Sequence, residues 1–177
     1  GSAGDEARLD AIRGARPDAR LRIDANAGWS RDEAVKWMRM VAKYGVEMVE
    51  QPLAKEDFEG MGLLQKETEI PIVADESVRS LDDVERLAAV GVKGINLKLM
   101  KVGGLSPAVA ILRKARVYGM RVMLGCMIET SLGTSAMAHL MGQADWIDLD
   151  APILISNDPF RGMSIDRFAN VSISDAP

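Results

Sequence analysis

Asp24, Glu50 and Asp75 each close a short apolar segment of the 177-residue chain, and Lys98 closes the next one. Three carboxylates brought to one place repel strongly unless a cation sits among them. An all-oxygen donor set without His or Cys favours a hard ion, and Mg²⁺ suits it best. The competing reading makes the acids separate helix caps or loop ion-pair partners. A desolvated lysine beside a divalent ion should have a depressed pKa, which would fit it as a general base near neutral pH. Its target would be a proton alpha to a carboxylate. A purely structural pairing of Lys98 with Asp75 or Glu50 is the alternative. Lys101, next to Gly103 and Gly104, reads as a solvated loop lysine or a minor contact.

Further polar residues fall near these ends. Asp148 and Asp150 are two apart in a strand-like segment and share a face. Such a pair suits a cation, for example a substrate ammonium, or else caps a turn. Asn26 shares the inward face with Asp24 and is expected to hold a metal-bound water. Gln51 is expected to orient Glu50. Cys126 ends its own apolar segment, but without a histidine partner it reads as a small packing residue at the mouth rather than a nucleophile.

These side chains need elements to position them. The pattern predicts strands at 21–23, 46–50, 72–74, 94–99, 121–126 and 146–149. Helical patterns lie between them, and one at about 5–16 precedes the first strand. Ser30 with Glu33 and Ser80 with Asp83 are candidate capping boxes. Ser106 with Pro107 predicts an N-cap followed by a first-turn proline. Gly45, Gly91 and Gly119 fall where helices should stop. The residues at the strand ends, Asp24, Glu50, Asp75, Lys98, Cys126 and Asp148, recur at intervals of 26, 25, 23, 28 and 22 residues. Strands alternating with helices at this period make a parallel sheet. Six units suit an open doubly wound sheet, or a (β/α)₈ barrel with two strands missing.

The composition is that of a globular protein, 47% hydrophobic and 27% charged. A net charge of −4 argues against nucleic acid and anionic membranes as partners. No apolar run is long enough to span a bilayer, and GSAGDEARLD does not resemble a signal peptide. A single cysteine cannot form an internal disulfide, which fits a reducing, cytoplasmic setting. A single histidine leaves no room for a His-rich metal site or a His-centred triad.

The segments RIDAN, VEQP, ADES, NLKLMKVGG, GCMIETSLG and DLDAP together resemble the enolase superfamily, in its muconate-lactonizing-enzyme subgroup, and within it the dipeptide epimerases. The resemblance covers about residues 5 to 160. It implies a TIM-type barrel represented by about strands 3–8, with strands 1 and 2 and the N-terminal capping domain outside this chain. Residues 1–177 would then form one partial barrel domain. It further implies metal ligation by Asp24, Glu50 and Asp75, Mg²⁺ as cofactor and Lys98 as one base. A second lysine, from a K-x-K motif on strand 2, would lie outside the chain. Asp148 and Asp150 would hold the ammonium group of a dipeptide, with Cys126, Met127 and Glu129 bordering the substrate. The implied reaction is a 1,1-proton transfer through an enolate, in an enzyme that is homo-oligomeric at full length. The fragment alone would be inactive. A muconate cycloisomerase, an o-succinylbenzoate synthase or an N-succinylamino acid racemase would use the same machinery. An inactive Mg-binding barrel fragment is the non-enzymatic reading. Asp158-Pro159-Phe160 resembles a structural tail motif of the family.

Overall fold

The computed structural model describes residues 4–173, so the first three residues of the GSAG start lie outside the described residues. Helix α1 (Asp5–Ala15) is followed by β1 (Leu21–Asp24), α2 (Arg31–Ala42), β2 (Val46–Glu50), α3 (Phe58–Lys66), β3 (Ile72–Ala74), α4 (Leu81–Val90) and β4 (Gly94–Leu97). Then come the one-turn helix α5 (Leu99–Val102), α6 (Leu105–Val117), β5 (Arg121–Gly125), α7 (Ser131–Ala138) and β6 (Trp146–Asp148). A two-stranded antiparallel hairpin, β7 (Ser164–Ile165) and β8 (Val171–Ser172), follows. No helix among the described residues is long and apolar enough to cross a membrane.

The first six strands form one parallel sheet in sequence order, β1 to β6, which curls into a half-barrel with β1 and β6 as its edges. This order decides between the two architectures. A doubly wound sheet reverses direction at a switch point, whereas a barrel adds each strand beside the last.

The two faces of the sheet are built differently. Outward residues such as Val49, Ile72, Ile95, Leu97, Val122 and Leu124 are buried against the helices. The helices meet them with stripes at 3.6-residue spacing: Ala34, Met38 and Val41 on α2, Val84 and Leu87 on α4, Ala108, Ile111 and Leu112 on α6. Full burial of one such Leu or Ile is worth about 2 kcal/mol. On the inner face, Met48, Val73 and Met123 form a small separate cluster with Trp146 against it. Arg121 lies over the Trp146 ring. This apolar floor leaves the C-terminal strand ends as the polar rim. The central strands β3 and β4 are buried throughout, while the edge strand β1 alternates between half-buried and exposed residues.

The expected helix signals hold in part. Ser80 and Asp83 form a complete capping box, and Gly91 ends α4 in the left-handed region at φ 93°. Ser30 sits at the N-cap of α2, but its hydroxyl donates to the Glu33 carboxylate rather than accepting from the helix backbone. The Ser106 expectation is wrong. Helix α6 starts at Leu105 with Gly104 as its N-cap, because Gly103 and Gly104 take φ 90° and 115° and turn the chain two residues earlier.

Candidate active site at the C-terminal strand ends

The register places Asp24 opposite Glu50, and Glu50 opposite Val73, two residues before Asp75. The three acids therefore leave adjacent strands at the same end of the sheet. Glu50 and Asp75 are buried. Burial raises the Glu50 carboxyl to about 7, and the charges of Asp24 and Asp75 push in the same direction. The Asn96 hydrogen bond and the Lys98 charge oppose it.

Each acid has its own partner. Asp24 Oδ1 accepts from the backbone N–H of Asn26 at 2.7 Å, in a turn where Asn26 takes φ 48°. Glu50 Oε1 accepts from Asn96 Nδ2 at 2.7 Å. Asp75 Oδ2 accepts from Lys98 Nζ at 2.8 Å, and Asp75 Oδ1 is paired with Lys101. Among the described residues, no three His, Cys, Asp or Glu side chains are grouped to hold a metal ion as they stand. Adjacent strand ends converge, but the carboxylates are engaged one by one.

Lys98 immediately follows β4 and is the N-cap of α5. Its inward position needs room, and Gly125 on the neighbouring strand provides it. A Cβ there would stand 2.9 Å from Lys98 Cε and collide with the Asn96 amide. The lysine was expected to have a depressed pKa. Burial does pull it down, but the Asp75 hydrogen bond and charge, joined by Glu50 and Asp24, outweigh burial and leave it raised. Lys98 Nζ is thus paired with Asp75 Oδ2.

Two residues act differently from expectation. Lys101 is not a solvated loop lysine. Its side chain is 13% exposed, and it bonds Asp75 and the Asn96 carbonyl. Gln51 is fully buried with φ 31°, and its side-chain amide is engaged away from Glu50. Its Oε1 accepts from the N–H groups of Asp75 and Ser77, and its Nε2 donates to Leu53 O and Ser77 Oγ. It fixes the loop after β3. Asn26 holds Asp24 through its backbone N–H. Asn96 is the residue that sequence reasoning missed. Its signal was a polar side chain on the inner face of an otherwise apolar strand.

The second polar group lies at β5 and β6. Cys126 donates weakly from Sγ to Asp148 O at 3.3 Å and stands 3.8 Å from Asp150 Oδ1. Burial, with the charges of Asp150 and Asp148, raises its thiol to about 11. It is a protonated donor at neutral pH. Asp148 ends β6 on the open edge of the half-barrel, and its carboxyl is raised by burial first and by Asp150 second. The charges of Arg22 and Lys98 oppose this. Two acids repelling across one turn fit a cation. Met127 is exposed at the mouth. Glu129 is folded back: its Oε1 accepts from the Met127 N–H, and burial raises its carboxyl. Helix α7 has Thr130 as its N-cap, and the Thr130 side chain makes no capping hydrogen bond. Asp158 does that work, accepting from Ser131 N–H at 2.6 Å and from Phe160 N–H at 3.0 Å.

The family description "Enolase C-terminal domain-like" matches residues 1–152. The chain belongs to this family. It is 41% identical over 153 residues to an L-Ala-D/L-amino acid epimerase of Maribacter sp., covering 86% of this chain and 45% of that protein. The substrate-liganded L-Ala-D/L-Glu epimerase from Bacillus subtilis superposes with TM-score 0.90 at 37% identity, covering 97% of this chain and 50% of that one. The dipeptide epimerase from Cytophaga hutchinsonii, complexed with Mg and the dipeptide D-Ala-L-Val, superposes with TM-score 0.89 at 31% identity, covering 96% and 48%. The chain spans about half the length of the curated relatives it matches. The expected superfamily, subgroup and barrel architecture are thereby borne out.

Proposed function

We propose that this chain is the barrel segment of a dipeptide epimerase, carrying the metal site, one of two bases and the ammonium site. The observation that carries this reading is the convergence of Asp24, Glu50, Asp75 and Lys98 on adjacent ends of β1 to β4.

The site fits Mg²⁺ on its own chemistry. Glu50 is a buried carboxylate whose pKa is raised by burial and by the like charges of Asp24 and Asp75, so a cation among the three acids would relieve their repulsion. Asn96 Oδ1 is buried beside it with no hydrogen-bond partner among the described residues. Asp24, Glu50 and Asp75 would hold the ion. When bound, Mg²⁺ would neutralise these acids and stabilise negative charge on a substrate carboxylate, acidifying its α-carbon.

The chain's own residues supply the rest. With the Asp75 charge taken up elsewhere, Lys98 loses the partner that raises its pKa, and its Nζ is free to take the α-proton from one face. A base on the other face, from a strand outside this chain, returns a proton with inverted configuration. Asp148 and Asp150 receive the dipeptide ammonium, and the Cys126 thiol braces them as a donor. Met127 and Glu129 border the substrate at the mouth. Asn96 keeps Glu50 aimed, and Gly125 keeps the path of Lys98 clear. A groove of about 610 Å³ beside β1, lined by Leu9, Ile23, Trp29 and Trp37 together with the charged Asp5, Arg8, Arg22 and Asp24, would give a preceding βα unit a mixed surface to pack on.

The test uses the whole enzyme in D₂O with a panel of dipeptides and N-succinylamino acids. Deuterium should enter the α-position of the C-terminal residue of dipeptides. Lys98→Ala should abolish exchange from one epimer while Mg²⁺ still binds. Exchange confined to N-succinylamino acids would overturn the epimerase reading. Unaltered exchange from both epimers would remove Lys98 as a base.

A further inference from the structure

Lys101 has an ammonium with three donors and three acceptors around it: Asp75 Oδ1, the Asp75 carbonyl at 2.5 Å and the Asn96 carbonyl at 3.2 Å. Its hydrogen-bonding capacity is therefore spent on the protein, leaving no donor for a substrate. Lys98, by contrast, has Asp75 Oδ2 as its one hydrogen-bond acceptor among the described residues. The two oxygens of Asp75 are thus unequal. Oδ1 is tied back together with the residue's own carbonyl, and Oδ2 faces the side chain proposed as a base.

We propose that Lys101 is a positioning residue of the metal centre, locking Asp75 so that Oδ2 is the oxygen presented to the ion. This rests on the reading of Asp24, Glu50 and Asp75 as metal ligands. The reach of Lys101 extends to a second acid. It grips the carbonyl of Asn96, whose side-chain amide donates to Glu50. One ammonium therefore joins the ends of β3 and β4 and registers two of the three carboxylates. The local backbone is shaped for this. Helix α5 is a single turn, with its Gly103 and Gly104 N–H groups closing onto Leu99 O, and the left-handed φ of both glycines lets it double back over the strand end. The GG that follows the lysine thus serves to aim it.

The sign of the effect separates positioning from plain electrostatics. A fixed positive charge beside a cation site weakens cation binding by repulsion, so removing it should tighten metal binding if charge were all that mattered. Loss of positioning does the opposite, since residues that orient metal ligands typically contribute about 10- to 100-fold in affinity. The experiment is a Mn²⁺ titration of the whole enzyme and its Lys101→Met variant without substrate, read by electron paramagnetic resonance. Thermal unfolding in chelator monitors folding. The variant is expected to bind Mn²⁺ at least ~10-fold more weakly. If Lys101→Met does not fold, Lys101→Gln takes its place with the same expectation, and failure of both to fold would make Lys101 a folding residue and overturn the proposal. Equal or tighter Mn²⁺ binding by a folded variant, beside a wild type that binds, would refute the positioning role alone. A wild type that does not bind Mn²⁺ would refute the metal centre and the role together.

Discussion

Glu50 provides a test in which site chemistry is read as stability. Its carboxyl stands at about 7, against an ordinary value of 4.5, and burial is the largest cause. An acid whose pKa is raised on folding binds its proton more tightly in the folded state. Below pH 4.5 both states are protonated and there is no penalty. Between pH 4.5 and about 7 the unfolded chain gives up the proton first, so stability falls as pH rises. Above that window the penalty is complete. The span of the shift amounts to about 3 kcal/mol. Glu50→Gln keeps the shape and the oxygen that accepts from Asn96 but cannot ionise. In chelator, the variant should match the wild type near pH 4.5 and exceed it by about 3 kcal/mol at pH 8.5. Urea unfolding of both proteins across this range measures the difference, and the subtraction removes the titrating groups that do not interact with Glu50. Added Mg²⁺ should then stabilise the wild type and leave the variant unchanged. A pH-independent difference, or a variant less stable than the wild type at pH 8.5, would refute the burial of an uncompensated charge at this position.

Two further changes test the scaffold. Gln51→Leu leaves the buried Asp75 and Ser77 N–H groups without their acceptor and should destabilise the protein by about 3 kcal/mol in urea unfolding. Asp158→Ala removes the acceptor that caps α7 at Ser131 and should cost about 1 kcal/mol in the same assay.

Much of the fold was legible because one physical signal repeats. Apolar runs bounded by glycines and capping serines recur at near-constant intervals, which predicts a parallel sheet, while the sequential strand order that marks a barrel comes from the structure. The acids were legible for the same reason: Asp24, Glu50 and Asp75 stand where apolar strands end, and Asp148 closes a later one. Roles set by one-turn geometry were not legible. Lys101 looked solvated because a four-residue helix leaves no periodic trace, and nothing in KVGG alone says that the turn folds back onto Asp75. Gln51 follows Glu50, so sequence adjacency suggested that it serves its neighbour. Its φ of 31° instead turns the amide toward the loop after β3. Asp158 caps a helix that begins 27 residues earlier, a pairing that only the tertiary fold creates. The pairing of Lys98 with the Asp75 carboxylate at 2.8 Å joins the ends of two strands and is likewise set by the tertiary fold.

The most direct measurement is a crystal structure of the whole enzyme soaked in Mn²⁺, with the ion located by its anomalous scattering. One peak should appear at the ends of β1 to β3, coordinated by Asp24, Glu50 and Asp75, with Lys98 Nζ withdrawn from Asp75. A peak elsewhere, or no peak with the Lys98–Asp75 pair intact, would contradict the account.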